Sequence, residues 1–153
     1  MELRARLQAA TKEAMKARDS ARLSTLRLIG AAVKDREIAA RGGDGDGTLT
    51  EVDLIAIMSR MVKQRQESAK AYEEGGRLEL AAKEEEEIRV IQEFLPRQMT
   101  EAETSAAIDA AIADLGAAGI RDMGRVMAAL KDRHAGQMDF GAAGPAVKAR
   151  LLA

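Results

Sequence analysis

Cysteine is absent from this chain, and its absence removes disulfide scaffolds, thiolate metal sites and cysteine nucleophiles together. A single histidine, His134, leaves histidine-rich metal sites and serine triads without parts. Tryptophan is missing as well. The aromatics are Tyr72, Phe94 and Phe140, all at positions where the apolar pattern predicts core, so stacking on unpaired bases is not an expected mode of binding. No uncharged stretch approaches the roughly 20 apolar residues of a membrane span. The start Met1, Glu2, Leu3, Arg4 has no apolar signal-peptide centre. The expectations are therefore no membrane partner and a cytoplasmic location.

What is present is charge and helix formers. Charged residues make up 32% of the 153, and with abundant Ala, Leu, Glu, Lys and Arg this composition predicts an all-α protein. The net charge of −1 conceals an uneven spread. Residues 1–41 carry ten Lys or Arg against five acids, 42–96 carry seven against thirteen, and 97–153 carry seven of each. A basic first segment can hold an anionic partner or dock on another part of the molecule.

The clearest architectural signal is a helical hairpin that reverses at Gly75 and Gly76. Residues equidistant from that pair match in antiparallel register: Tyr72 with Leu80, Met61 with Ile91, Met58 with Phe94. In mid-hairpin the same register sets Ser68 against Glu84 and Arg65 against Glu87, a polar layer in an apolar seam. Burying Arg65 without a partner would cost several kcal/mol. The layer reads as a device that fixes register rather than as a catalytic site.

Apolar spacing places a first helix over residues 2–17 through Leu3, Leu7, Ala10 and Ala14. A second helix, capped by Asp19 or Ser20, buries Leu23, Leu26, Gly30 and Val33. Arg27, Lys34 and Arg41 repeat every seven residues on its far side, a stripe that drifts only ~20° per step. Residues 42–48 hold four glycines and are expected to form a mobile loop. A calcium loop starting at Asp44 fails, because its sixth and twelfth positions fall on Leu49 and Ile55. Thr48 with Glu51, or Thr50 with Asp53, opens the third helix; the fourth spans about Leu78 to Leu95, where Pro96 stops it.

Pro96 is the expected boundary between domains 1–95 and 96–153, a four-helix N-terminal unit followed by a smaller three-helix C-terminal unit. Thr100 and Glu103 cap the fifth helix, Asp122 the sixth and Asp139 the last. Pro145 is expected to delay the regular start of that last helix to Gly144.

No autonomous active site emerges. Glu84 and Glu87 have the i, i+3 spacing of carboxylate bundles but no Glu-x-x-His accompanies them, so no metal and no cofactor are expected. Ser20, Ser24, Ser59, Ser68 and Ser105 lack a base in the helical arrangement. RNA contact, if it occurs, runs through phosphates and shape. One candidate stripe is Arg27, Lys34 and Arg41; the other is Arg125, Lys131, Arg133 and Lys148.

Several stretches resemble the GatB/YqeY proteins in their free-standing YqeY form: residues 15–38 (MKARDSARLSTLRLIGAAVKDREI), 61–67 (MVKQRQE), 84–98 (EEEEIRVIQEFLPRQ) and 122–131 (DMGRVMAALK). The most specific elements are Leu95 and Pro96 followed by Gln98, and the helix with Gly124, Val126 and Met127. The resemblance implies an all-α fold and a relation to the tail domain of the GatB subunit, which helps hold tRNA while other subunits perform amidotransfer. It also implies a link to carbon–nitrogen ligase activity with glutamine as amide donor, exercised only with partners. Within the motif, Gly124 is expected to permit close backbone approach, and Arg125 and Lys131 to occupy basic family positions. The expected function is thus a non-catalytic tRNA-binding or accessory module, with tRNA and amidotransferase subunits as partners. The alternative is a protein-interaction adaptor that binds no RNA.

Overall fold

The computed structural model describes residues 2–43 and 47–153. Among the described residues there are seven α-helices, one short 3-10 turn and no strand: α1 (Leu3–Ala17), α2 (Ser20–Arg41), α3 (Glu51–Glu74), α4 (Leu78–Gln92), α5 (Glu101–Leu115), the 3-10 turn Ile120–Asp122, α6 (Met123–Arg133) and α7 (Phe140–Leu152). The chain divides into two compact units, Met1–Leu95 with α1 to α4 and Pro96–Ala153 with α5 to α7.

In the first unit the core is built from Leu3 and Ala14 of α1, Leu26, Ile29 and Val33 of α2, Leu54, Met58, Met61 and Val62 of α3, Ile88, Val90 and Ile91 of α4, and Phe94 just beyond it. Asp19 accepts from the Arg22 N–H and starts α2, while Arg18 takes the left-handed conformation that ends α1. The buried stripe of α2 differs from expectation by one position. Ile29 is buried and Gly30 is exposed, because Thr25, Ile29 and Val33 follow the i, i+4 rows that face α3 and α4.

Thr50 opens α3 with both halves of a capping box, the Thr50 hydroxyl on the Asp53 N–H and the Asp53 carboxylate on the Thr50 N–H. The expected mobile loop at 42–48 includes 44–46, which lie outside the described residues. On its far side Gly47 has φ +86 and is buried against Arg41, whose Cγ would stand 2.4 Å from an added Cβ. Only glycine fits there.

The hairpin of α3 and α4 turns at Gly75 and Gly76, the latter at φ 73. Its seam has two halves. Leu54, Met58, Met61, Val62, Ile88 and Ile91 join the unit's core, whereas in the distal half Ala69 and Ala81 are buried outside that cluster and Tyr72 is only half-buried. Regular α4 ends at Gln92 rather than at Leu95. Glu93, Phe94 and Leu95 donate to carbonyls three residues back, a tightened final turn that leads into Pro96. Of the three aromatics only Phe94 is fully buried, and the Arg6 guanidinium lies 5.5 Å from its ring centre.

The second unit packs Ile108 and Ala111 of α5, Val126 and Leu130 of α6, and Ala143, Val147 and Leu151 of α7 together with Met138. Thr100 and Glu103 form the expected capping box of α5, and Gly116 at φ 61 ends it. Two starts differ from expectation. Asp122 does not cap α6; its carboxylate accepts instead from the Ala118 N–H and closes the 3-10 turn that precedes the helix. Helix α7 begins at Phe140 and not at Gly144, because Asp139 accepts from the Gly141 and Ala142 N–H groups and secures a turn ahead of Pro145. Gly141, at i−4, carries the carbonyl that Pro145 has no N–H to reach.

Candidate nucleic-acid interface

Helix α6 is the motif helix, and its two arginines are engaged within the second unit. Arg125 donates to the Asp122 carboxylate at 3.1 Å and to the Leu115 carbonyl at the end of α5 at 2.9 Å. A cation at a helix C-terminus satisfies an orphan carbonyl and complements the helix dipole. The Asp122 carboxyl is in turn held below its ordinary range, chiefly by the Ala118 N–H, with Arg125 adding to the effect. The result is a knot of Ala118, Asp122, Arg125 and Leu115 that joins α5 to α6. Arg133 pairs with Asp114 of α5 at 2.9 Å.

Lys131 in the last turn of α6 and Lys148 in α7 are exposed, and neither takes part in an ion pair among the described residues. Gly124 is exposed as well. An added Cβ there would meet nothing within 4 Å, so no close approach inside the chain accounts for it.

Two ties that sequence reasoning did not foresee stiffen this unit. Arg150 of α7 reaches α5, donating to Asp109 at 2.7 Å and to the Ser105 hydroxyl. Gln98, prominent in the resemblance, donates to the Gly136 carbonyl, while the Met99 N–H bonds the Gln137 carbonyl at 2.8 Å. The partners of Arg150 and Gln98 lie about forty positions away in sequence, so no local spacing signals them.

On the first unit Arg27 and Lys34 of α2 are exposed and take part in no ion pair among the described residues, whereas Arg4 and Arg22 are committed. Arg4 holds Glu37 at 2.6 Å and Arg22 holds Glu93. Lys34 stands at the edge of an open groove of about 750 Å³ between α1 and α2.

The polar layer of the hairpin is half-buried throughout. Arg65 Nε donates to Glu87 Oε2 at 3.0 Å, and the Arg65 guanidinium also reaches the Met61 carbonyl at 3.2 Å. Ser68 and Glu84 make no hydrogen bond among the described residues. No group of His, Cys, Asp and Glu among the described residues is arranged to hold a metal ion.

The family model described as Yqey-like protein matches residues 4–151. The chain belongs to the YqeY-like family. Curated relatives of this YqeY-like chain include the yeast proteins called altered inheritance of mitochondria protein 41, mitochondrial. That of Vanderwaltozyma polyspora is 36% identical over 84 residues, covering 55% of this chain and 43% of the relative. That of Lachancea thermotolerans is 33% identical over 111 residues, covering 72% and 56%. The YqeY-like chain thus spans about half the length of the curated relatives it matches. Their names place those proteins in mitochondria, which overturns the cytoplasmic expectation.

Proposed function

We propose that this YqeY-like protein is a non-catalytic module that holds a structured RNA, namely tRNA, and serves tRNA-dependent amidotransfer beside amidotransferase subunits that carry out the chemistry. The observation behind this reading is the division between committed and uncommitted cations. Arg125 and Arg133 are occupied with α5, while Lys131 and Lys148 project from the second unit, and Arg27 from the first, without ion-pair partners among the described residues. Exposed, unpaired cations are the side chains that can displace counterions from phosphates. Gly124, open on the same helix as Lys131, leaves room for a backbone to pass close to α6. Arg125 and Arg133 act by setting α6 against α5, and the half-buried pair of Arg65 and Glu87 sets hairpin register. The relatives' names make mitochondrial tRNA the first RNA to test.

The experiment is recovery of the tagged full chain from cells followed by sequencing of the RNA that comes with it. Enrichment of tRNA supports the reading. Recovery of protein partners that persist after nuclease treatment, with no RNA enriched, favours the adaptor instead.

A further inference from the structure

The groove between α1 and α2 combines cationic edges with two features that phosphate binding does not use, an apolar floor and a helical glycine. Its floor is mainly apolar, formed by Leu7, Leu26, Val33 and Leu54, with Gln8 and Thr11 beside them on α1. Its edges are cationic: Lys12 lies on the α1 side and Lys34 on the α2 side. The one carboxylate that lines it, Glu37, is neutralised by Arg4 at 2.6 Å, so the lysines set its sign. The lining runs from Arg4 to Lys12 on α1 and from Leu26 to Glu37 on α2, a length of roughly 12–16 Å at 1.5 Å per residue. That is two to three turns of a helix.

The third feature is Gly30, in the interior of α2 and on the groove lining. Its φ is not positive, and an added Cβ would meet nothing within 4 Å. A glycine inside a helix costs about 0.5–1 kcal/mol relative to alanine. Neither a turn nor a close packing partner within the chain accounts for that cost. A partner backbone lying over the floor does, since a side chain at position 30 would stand in its way.

We infer that this groove docks an acidic amphipathic helix of a partner protein. Helix-in-groove recognition places apolar anchors at i, i+4 and i+7 on an apolar floor, and acidic flanks meet Lys12 and Lys34 on either edge. The inference stands apart from RNA binding by Lys131 and Lys148.

The probe is a labelled helical peptide of about four turns with leucines at i, i+4 and i+7 and glutamates on both flanks, titrated by anisotropy into the full chain. It is expected to bind, and a version with lysine flanks is expected to bind at least about tenfold more weakly. Gly30→Leu fills the groove and is expected to weaken the acidic peptide by about tenfold or more, with tRNA titration unchanged. The double variant Lys12→Glu with Lys34→Glu is expected to reverse the preference toward the lysine-flanked peptide. Equal binding of both peptides, an unaffected Gly30→Leu variant, or amide shifts at Leu7, Gly30 and Lys34 produced by tRNA but not by the peptide would overturn the inference.

Discussion

Arg65 Nε donates to Glu87 Oε2 at 3.0 Å between α3 and α4, with the two side chains only 15% and 17% exposed. The pair sits where the seam changes from the core residues Met61 and Ile91 to the distal Ala69 and Ala81. A register slip that set Arg65 against Ile91 would leave both charges half-buried and unpaired. Arg65→Met alone should therefore destabilise the protein by about 1–3 kcal/mol, and adding Glu87→Leu should recover most of that loss. Urea unfolding of the two single variants and the double variant measures the coupling. Single losses as small as that of the double variant would show that the pair does not set register.

Gly30 and Gly47 should respond to alanine with opposite signs. Gly30→Ala removes backbone freedom from the unfolded chain at a position with open space, and should stabilise by about 0.5–1 kcal/mol. Gly47→Ala meets a positive φ and the Arg41 side chain, and should cost about 1–3 kcal/mol. Thermal unfolding of the two variants side by side gives the signs.

The first turn of α5 should weaken in acid. The Arg97 guanidinium, together with the Thr100 N–H, holds the Glu103 carboxyl down to about 2 from an ordinary 4.5. A carboxylate with a lowered value in the folded chain contributes stability that is complete above the unfolded value and is lost as pH falls toward the folded one. Side-chain NMR should show Glu103 titrating near 2, and Arg97→Ala should return it toward the ordinary range. Amide exchange at residues 101–104 should quicken as pH falls from 4.5 toward 2, once corrected for the intrinsic pH dependence of exchange.

Arg125 and Lys131 should separate stability from binding although both are basic and lie on α6. Arg125→Ala removes bonds to Asp122 and to the Leu115 carbonyl and should lower stability by about 1 kcal/mol. Lys131→Glu has no such partner to lose and should stay within about 0.5 kcal/mol of the parent chain. Thermal melts of the two variants distinguish these roles.

Much of this fold is legible from spacing alone. The register of α3 and α4 follows from residues equidistant from Gly75 and Gly76, and the caps at Asp19, Thr50, Thr100 and Asp139 are local signals acting within three residues. What escaped were choices made by tertiary packing. Ile29 rather than Gly30 faces the core because the rows of α2 are set by its neighbours, and the Asp122 carboxylate is taken up by the Ala118 N–H ahead of the 3-10 turn instead of by the first N–H groups of α6. The candidate site was legible as residue types only. No spacing reveals that Arg125 reaches the end of α5, or that Arg150 finds Asp109, whereas the exposure of Lys131 and Lys148 follows from their place off the buried stripe of Val126, Leu130 and Val147.

The most direct test is a titration of tRNA into the full chain across a series of salt concentrations, for the parent and for Lys131→Glu with Lys148→Glu. The account predicts binding that falls linearly in log–log form with salt, and a slope reduced by about one for each lysine that meets a phosphate. Flat titrations at low salt, or a slope and affinity untouched by removing both lysines, would contradict it.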